Sequence, residues 1–312
     1  MNTYLLIDGN AVMHRAYHAL PPFKTKNGIP TNVVFGFFSI LHKALVDFKP
    51  DHLIVCFDVK GPTFRKELYK EYKATRKKPE DDFLVQIPFV KEGLNGAEIT
   101  YSEKQGFEAD DLLGTLSQRL KNKGKVLILS GDKDILQLAH DNTFVITPQI
   151  GFSKMKIYDE KAVLEKFGVS PSQMTDYKAL AGDQSDNYSG AKGIGPKTAT
   201  NLIQQFNTIE KMFKKIDEVK SEKIRDILKT NEDNILLAKK LAKIDNNVSF
   251  EINFEKTHFD KFPEKFKEFL IKYEIYSLAN RFFNPRSQEK KEVTKSKKLK
   301  REKEDQNQIG LF

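Results

Sequence analysis

The chain of 312 residues holds one cysteine, no tryptophan and no apolar run of membrane-spanning length. A lone Cys56 excludes an intramolecular disulfide and a cysteine-based zinc site. It lies inside His52-Leu53-Ile54-Val55-Cys56-Phe57 and reads as an inert core residue. Without tryptophan, core aromatics must come mainly from the 24 phenylalanines, and an apolar content of 39% is enough to fill a core. No basic segment followed by a long apolar stretch opens the chain, so a soluble cytosolic protein with no membrane partner is expected. Negative charge is the scarcer sign: 43 acids against 52 lysines and arginines give a net charge of +9 and a pI near 9.2. That balance favours a polyanionic partner.

The scarce acids are not spread evenly. Gly106-Phe107-Glu108-Ala109-Asp110-Asp111 sets three carboxylates just ahead of Leu112, Leu113 and Leu116, in the first turn of an expected helix. The helix dipole offsets part of their repulsion, and a multivalent cation would offset more. Tyr4–Ile7, Leu53–Phe57 and Lys125–Leu129 read as buried strands, and Ala97–Tyr101 as a weaker one. The strong strands end in Asp8, Asp58 and the pair Asp132 and Asp134. Helices are expected between them, at Ala11–Leu20 and Asn32–Phe48. Alternating strands and helices give an α/β fold with a central, mostly parallel sheet flanked by helices. The working crevice of such a sheet lies beyond the carboxyl ends of its strands. From Pro171 the pattern turns helical, with segments at Ser172–Ala181, Pro196–Phe206, Glu210–Phe213, Lys220–Lys229, Asn231–Ile244 and Phe262–Lys272. Val248–Ile252 reads as a short strand. After Pro285 the composition is too polar for a packed core, so residues 286–312 are expected to be disordered.

Asp8, Asp58, Glu108, Asp110, Asp111, Asp132 and Asp134 are hard oxygen ligands without accompanying His or Cys, which suits Mg²⁺ or Mn²⁺ rather than zinc. They exceed what one Mg²⁺ takes, so two ions are expected, the arrangement used for in-line attack on phosphodiesters. An Asp-x-Asp after a strand also occurs in aspartyl-phosphate phosphatases, but those need one nucleophilic Asp rather than this many carboxylates. A non-catalytic scaffold for branched DNA would not need them either. A second acidic pair, Asp183 and Asp186, precedes Lys192-Gly193-Ile194-Gly195-Pro196-Lys197-Thr198. This glycine turn opens a helix with its N–H groups free to face a phosphate, as in a helix-hairpin-helix grip on duplex DNA. In Thr63–Arg76, helical spacing would put Arg65, Tyr69, Lys73 and Arg76 on one face and Phe64, Leu68 and Tyr72 on another. A basic stripe interleaved with aromatics fits a single-strand contact surface. Lys73, Arg76 and, on the helix after Asp8, Arg15 are candidates to stabilise charge at the scissile phosphate. His14 and His18 share a helical face but lack a third soft ligand, so packing or phosphate contact is preferred over metal binding.

Leu6-Ile7-Asp8-Gly9-Asn10, Phe57-Asp58 with Thr63-Phe64-Arg65, Glu108-Ala109-Asp110-Asp111, Gly131-Asp132-Lys133-Asp134 and Gly182-Asp183-Gln184-Ser185-Asp186-Asn187 occur in the order of the 5′-nuclease family. The chain resembles the N-terminal 5′–3′ exonuclease of bacterial DNA polymerase I and, more distantly, the flap endonucleases, over about Thr3 to Phe283. The resemblance implies a PIN-like catalytic domain over 1–170 and a smaller helix-hairpin-helix domain over 171–285. It implies a Mg²⁺-dependent nuclease that cleaves 5′ flaps and removes nucleotides, including RNA primers, from 5′ ends at nicks, in replication and repair. All nine acids named above would serve the metal site, and Lys73 would stand at the family's arch lysine in an arch spanning about 60–95. A K⁺ ion at the Gly193–Gly195 turn is a further expectation. Tyr188-Ser189-Gly190-Ala191 departs from the family's usual apolar residue, Pro, Gly and Val. With the chain ending at Phe312, a free-standing, monomeric, nucleoid-associated nuclease is expected. The last residues, Gln308-Ile309-Gly310-Leu311-Phe312, resemble the pentapeptide by which bacterial proteins dock on the sliding clamp. Gln308, Leu311 and Phe312 would make that contact, and a flexible linker would raise effective concentration on DNA.

Overall fold

A computed structural model describes residues 1–149 and 154–284. The first apolar run forms β1 (Asn2–Asp8) and passes directly into α1 (Gly9–Ala19), because the Asp8 carboxylate caps that helix by accepting from the Ala11 N–H at 2.9 Å. α2 (Asn32–Phe48) stops at Lys49, which turns left-handed ahead of Pro50 and donates its N–H to the Leu45 carbonyl. β2 (His52–Phe57) is followed by three short helices, α3 (Phe64–Leu68), α4 (Asp81–Leu84) and α5 (Ile87–Gly96). Next come β3 (Thr100–Glu103), α6 (Ala109–Leu120) and β4 (Gly124–Leu129). β5 (Thr143–Pro148), β6 (Met155–Tyr158) and α7 (Glu160–Phe167) complete the α/β half. The rest is helical: α8 (Met174–Ala181), α9 (Pro196–Phe206), α10 (Ile209–Lys214), α11 (Glu222–Thr230), α12 (Glu232–Ala242), α13 (Glu264–Lys272) and α14 (Tyr276–Phe283).

The six strands form one sheet in the order β3-β2-β1-β4-β5-β6, parallel except for the β5–β6 pair. The chain runs outward from β1 to β3 on one side, then returns to the other side of β1 as β4. That reversal opens a crevice at the carboxyl ends of β1 and β4. Strand periodicity divides the core: Tyr4, Leu6, Ile54, Cys56, Val126 and Ile128 pack under α6 and the helices from α8 to α12. Leu5, Ile7, Leu53, Val55, Leu127 and Leu129 face α1, α2 and α5 on the opposite side.

Several elements differ from the sequence expectation. The segment over 171–285 is not one helical module: Phe266, Phe269 and Leu270 of α13 and Leu278 of α14 pack with Phe37 and Phe38 of α2, so the chain returns to the first lobe. Residues 248–252 join no ladder. Their backbone serves α6 instead, the Val248 N–H donating to Thr115 Oγ1 at 3.0 Å and Arg119 donating to the Val248 and Phe250 carbonyls. The strand expected at Ala97–Tyr101 begins at Thr100, since Ala97 still caps α5 and Glu98 turns at φ 56°. The Thr63–Arg76 stretch is helical only to Leu68. Lys73 then adopts φ 55° and its N–H donates to the Asp186 carbonyl at 2.9 Å, a long-range bond that a continuous helix would forbid.

Candidate active site

Asp8 is the last residue of β1 and is almost wholly buried. One oxygen caps α1 and the other accepts from the Ser130 hydroxyl at 2.7 Å. Burial pushes its carboxyl up to about 7, and the nearby Asp58 and Asp132 push the same way. Asp58 follows β2. Its N–H donates to Asn10 Oδ1 at 3.0 Å, and its Oδ1 accepts from the Ala109 N–H at 2.7 Å, so β2 delivers a carboxylate to the free end of α6. Asp110, in the first turn of α6, is raised well above the ordinary carboxylate range by burial and then by Asp132 and Asp8. Burial also raises Asp132, with Asp186 adding to it and Lys178, Lys73 and Arg76 opposing. These four acids and Glu108 line a cleft of about 410 Å³ together with Asn10, His14, Arg15, His18, Lys73 and Arg76.

Cations already stand among the acids. Lys73 Nζ lies 2.8 Å from Glu108, and Arg76 Nη2 lies 2.6 Å from Asp186. Burial lowers the Lys73 ammonium, yet Glu108 and Asp186 outweigh it and the group ends up above its ordinary value. Lys178 of α8 bridges Asp134 and Asp183, lying 2.6 Å from the latter. Burial works against the Asp183 carboxylate, but Lys178 and Ser185 hold it down at about 2. Asp134 and Asp183 therefore form a separate, cation-paired group beside the cleft. Among the described residues no three acids converge on one point.

Three expected roles fail on geometry. Asp111 is 0% exposed and points away from the cleft, its oxygens taken by Arg65 at 2.7 and 2.8 Å and by the N–H groups of Glu108 and Asp245. It is a structural anchor rather than a ligand. Arg65, expected at a DNA-contacting surface, is 2% exposed and also donates to the Leu241 and Lys243 carbonyls, tying the segment after β2 to α12. Tyr72, expected to stack on a base, is buried against Tyr188, Ala238 and Leu241, with its hydroxyl donating to Asp186 at 2.9 Å. Tyr188, at the position where an apolar residue is expected, thus packs against Tyr72. Gly190 keeps the glycine of that motif for a steric reason: a Cβ there would lie 2.4 Å from the Leu180 carbonyl oxygen.

The turn between α8 and α9 is glycine-rich and largely exposed. Gly193 adopts φ 103°, Ile194 is buried as the hydrophobic anchor, and Gly195 caps α9 directly before Pro196. A Cβ on Gly195 would meet no protein atom within 4 Å, so nothing internal demands glycine there, and Gly195 itself is exposed. Lys192 and Lys197 are exposed on either side. His14 stacks on Phe83 of α4 at 4.3 Å and lines the cleft with His18, consistent with packing and with phosphate access. Sequence reasoning missed Lys178, Ser130 and Phe83, whose partners are fixed only by the fold.

Residues 3–168 match the family model of the 5′–3′ exonuclease N-terminal resolvase-like domain, and residues 169–265 match that of the 5′–3′ exonuclease C-terminal SAM fold. The chain belongs to the 5′–3′ exonuclease family. A 5′–3′ exonuclease of Aquifex aeolicus is 36% identical over 281 residues, covering 89% of this chain and 94% of that protein. DNA polymerase I of Caldicellulosiruptor bescii is 40% identical over 281 residues, 89% of this chain and 33% of the polymerase. The chain thus spans about a third of the polymerase I relatives it matches. Among solved structures, the T5 5′-exonuclease with divalent zinc bound aligns with a TM-score of 0.65 at 22% identity, over 78% of this chain and 90% of that one. The Rad2 catalytic core in complex with DNA substrate aligns at 0.57 and 17% identity, over 91% and 92%. At those identities the likeness is one of fold. This 5′–3′ exonuclease family member shares with both the mostly parallel sheet and the helical lobe beside it.

Proposed function

We propose that the protein is a structure-selective 5′–3′ exonuclease and 5′-flap endonuclease acting on DNA, RNA primers included, through two Mg²⁺ ions. One observation carries this reading: Asp8, Asp58, Asp110 and Asp132 line one cleft, Asp8 buried, Asp110 half-buried and Asp58 and Asp132 open to solvent, and every one of the four carboxyls is raised above its ordinary value with neighbouring acids among the causes. Such a cluster is costly in isolation and becomes tolerable with divalent cations. The donor set fits the ion, since all of it is carboxylate oxygen. Asp8, Asp58, Glu108, Asp110 and Asp132 would hold the ions. Asp186 would join when Arg76 releases it, and Asp134 and Asp183 when Lys178 does. Bound there, divalent ions would supply Lewis acidity at the scissile phosphodiester.

The chain's own residues account for the remaining steps. Lys73 and Arg76 sit on the same cleft and can exchange their carboxylate partners for substrate phosphate oxygens, which stabilises developing negative charge. Arg15 faces the same space from α1. The Gly193–Gly195 turn with Lys192, Lys197 and Thr198 would hold the duplex by its backbone, with K⁺ a candidate guest at the turn, and so select for structure without reading sequence. The clamp-binding reading of Gln308, Leu311 and Phe312 falls outside the described residues. Among those described, no helix is long and apolar enough to cross a membrane.

A 5′-labelled flap should be cut with Mg²⁺ and left intact in EDTA. Asp132→Ala should lower the cleavage rate by at least about a thousandfold, the scale of losing a principal electrostatic contribution, while duplex affinity in EDTA stays within about twofold. Binding without cleavage by the wild type under every divalent ion would contradict the proposal. Equal loss of binding and cleavage in a folded Asp132 variant would contradict the role given to Asp132.

A further inference from the structure

A second cavity, of about 340 Å³, opens from the cleft on the flank away from Lys73 and Arg76. It shares Arg15, Gly131 and Asp132 with the cleft and continues over Lys133, Tyr158 and Lys166. We infer that this groove is a phosphate subsite for the nucleic-acid strand, contacted by Lys133, Lys166 and Arg15 beyond the point of cleavage. The inference rests on the nuclease reading above and extends it to where the strand lies.

Four observations support it. Asp132 is the only carboxylate among the described residues that line the groove, so its potential is positive on balance. Lys133 is exposed, and Lys166 is held in place by the Tyr158 hydroxyl at 2.9 Å and by the Tyr158 ring at 4.7 Å rather than by an acid. Among the described residues its charge is thus positioned but not neutralised. Arg15 Nε is buried without a hydrogen-bond partner, a donor that an incoming phosphate oxygen would satisfy. Gly131, which lines both cavities, is exposed and carries no side chain to fill the space between them. A strand passing the arch side and the four acids therefore meets cations on both flanks of the cleft, an arrangement that tracks a backbone without reading bases.

The test compares the full chain with Lys133→Ala/Lys166→Ala and with Lys166→Ala alone, using a 5′-flap oligonucleotide. Fluorescence anisotropy in EDTA across a salt series gives affinity and salt slope; single-turnover cleavage in Mg²⁺ gives the rate. Loss of two phosphate contacts should weaken binding about tenfold near 0.1 M salt and reduce the slope of log K against log salt by about 1.4–1.8. The rate at saturating DNA should stay within about twofold, because uniform binding is what was removed. Lys166→Arg should restore most of the affinity lost in Lys166→Ala, which a purely structural role would not require. Unchanged affinity and slope in the double variant, with wild type still cutting flaps, would overturn the groove while leaving the nuclease reading intact. Failure of the wild type to bind or cut the flap would instead overturn the nuclease reading and the groove with it.

Discussion

Replacing Arg65 by Ala should destabilise the protein by about 3–5 kcal/mol, the cost of stripping a buried charge of its partner. The guanidinium forks onto both oxygens of Asp111 and donates to the carbonyls of Leu241 and Lys243. Truncation leaves the Asp111 carboxylate without its countercharge and two carbonyls without their donor. The same bonds join three stretches of chain: the segment after β2, the start of α6 and the end of α12. Urea unfolding followed by circular dichroism measures the loss. An exposed nucleic-acid contact, the role that sequence alone suggests for Arg65, predicts no change beyond about 0.5 kcal/mol. Arg65→Met/Asp111→Leu should recover a large part of the loss, since removing both charges avoids an unpaired one.

The second large effect concerns Asp8 and pH. Its folded carboxyl sits at about 7 against an ordinary 3.8, so the folded state holds a proton that the unfolded chain releases earlier. The contribution is fully present below pH 3.8 and is lost as pH rises through about 7. For the metal-free protein in EDTA, stability should therefore fall between those pH values, by about 4 kcal/mol from this group at 1.36 kcal/mol per unit. Asp8→Asn should flatten that fall and raise the metal-free melting temperature at pH 8. The amide oxygen can still accept from Ala11, and Ser130 can accept from the amide nitrogen. The same variant should be inactive, because the negative charge that destabilises the empty cleft is the one that ions need. Parallel pH profiles for wild type and Asp8→Asn would contradict this assignment.

How much of this was legible beforehand follows from how local each cause is. The strand ends carrying Asp8, Asp58 and Asp132 could be read because apolar runs break into acid or glycine over a few residues. The glycine turn before α9 could be read because Gly193, at φ 103°, and Pro196, at the first helical position, each answer a backbone requirement at their own position. The segment from Tyr69 to Arg76 could not, since its path is set by Tyr72 packing on Tyr188 and Leu241 and by Lys73 bonding to the Asp186 carbonyl, more than a hundred residues away. Asp111 sits next to Asp110 in sequence, but helical rotation turns one toward Arg65 and the other toward the cleft. Phe262 to Lys272 reads as one more helix, and only the aromatic cluster with Phe38 shows which lobe it completes, together with an α14 that the sequence reading does not anticipate.

The site depends on carboxylates that divalent ions make tolerable, and thermal melting of the full chain at pH 8 across a Mg²⁺ titration tests that most directly. Saturable stabilisation of about 2.7 kcal/mol at a hundredfold excess over Kd is expected, or several degrees in melting temperature. In Asp8→Asn/Asp110→Asn the gain should vanish. A melting temperature that Mg²⁺ leaves unmoved into the millimolar range, or one raised equally in the double variant, would contradict a metal site at this cleft.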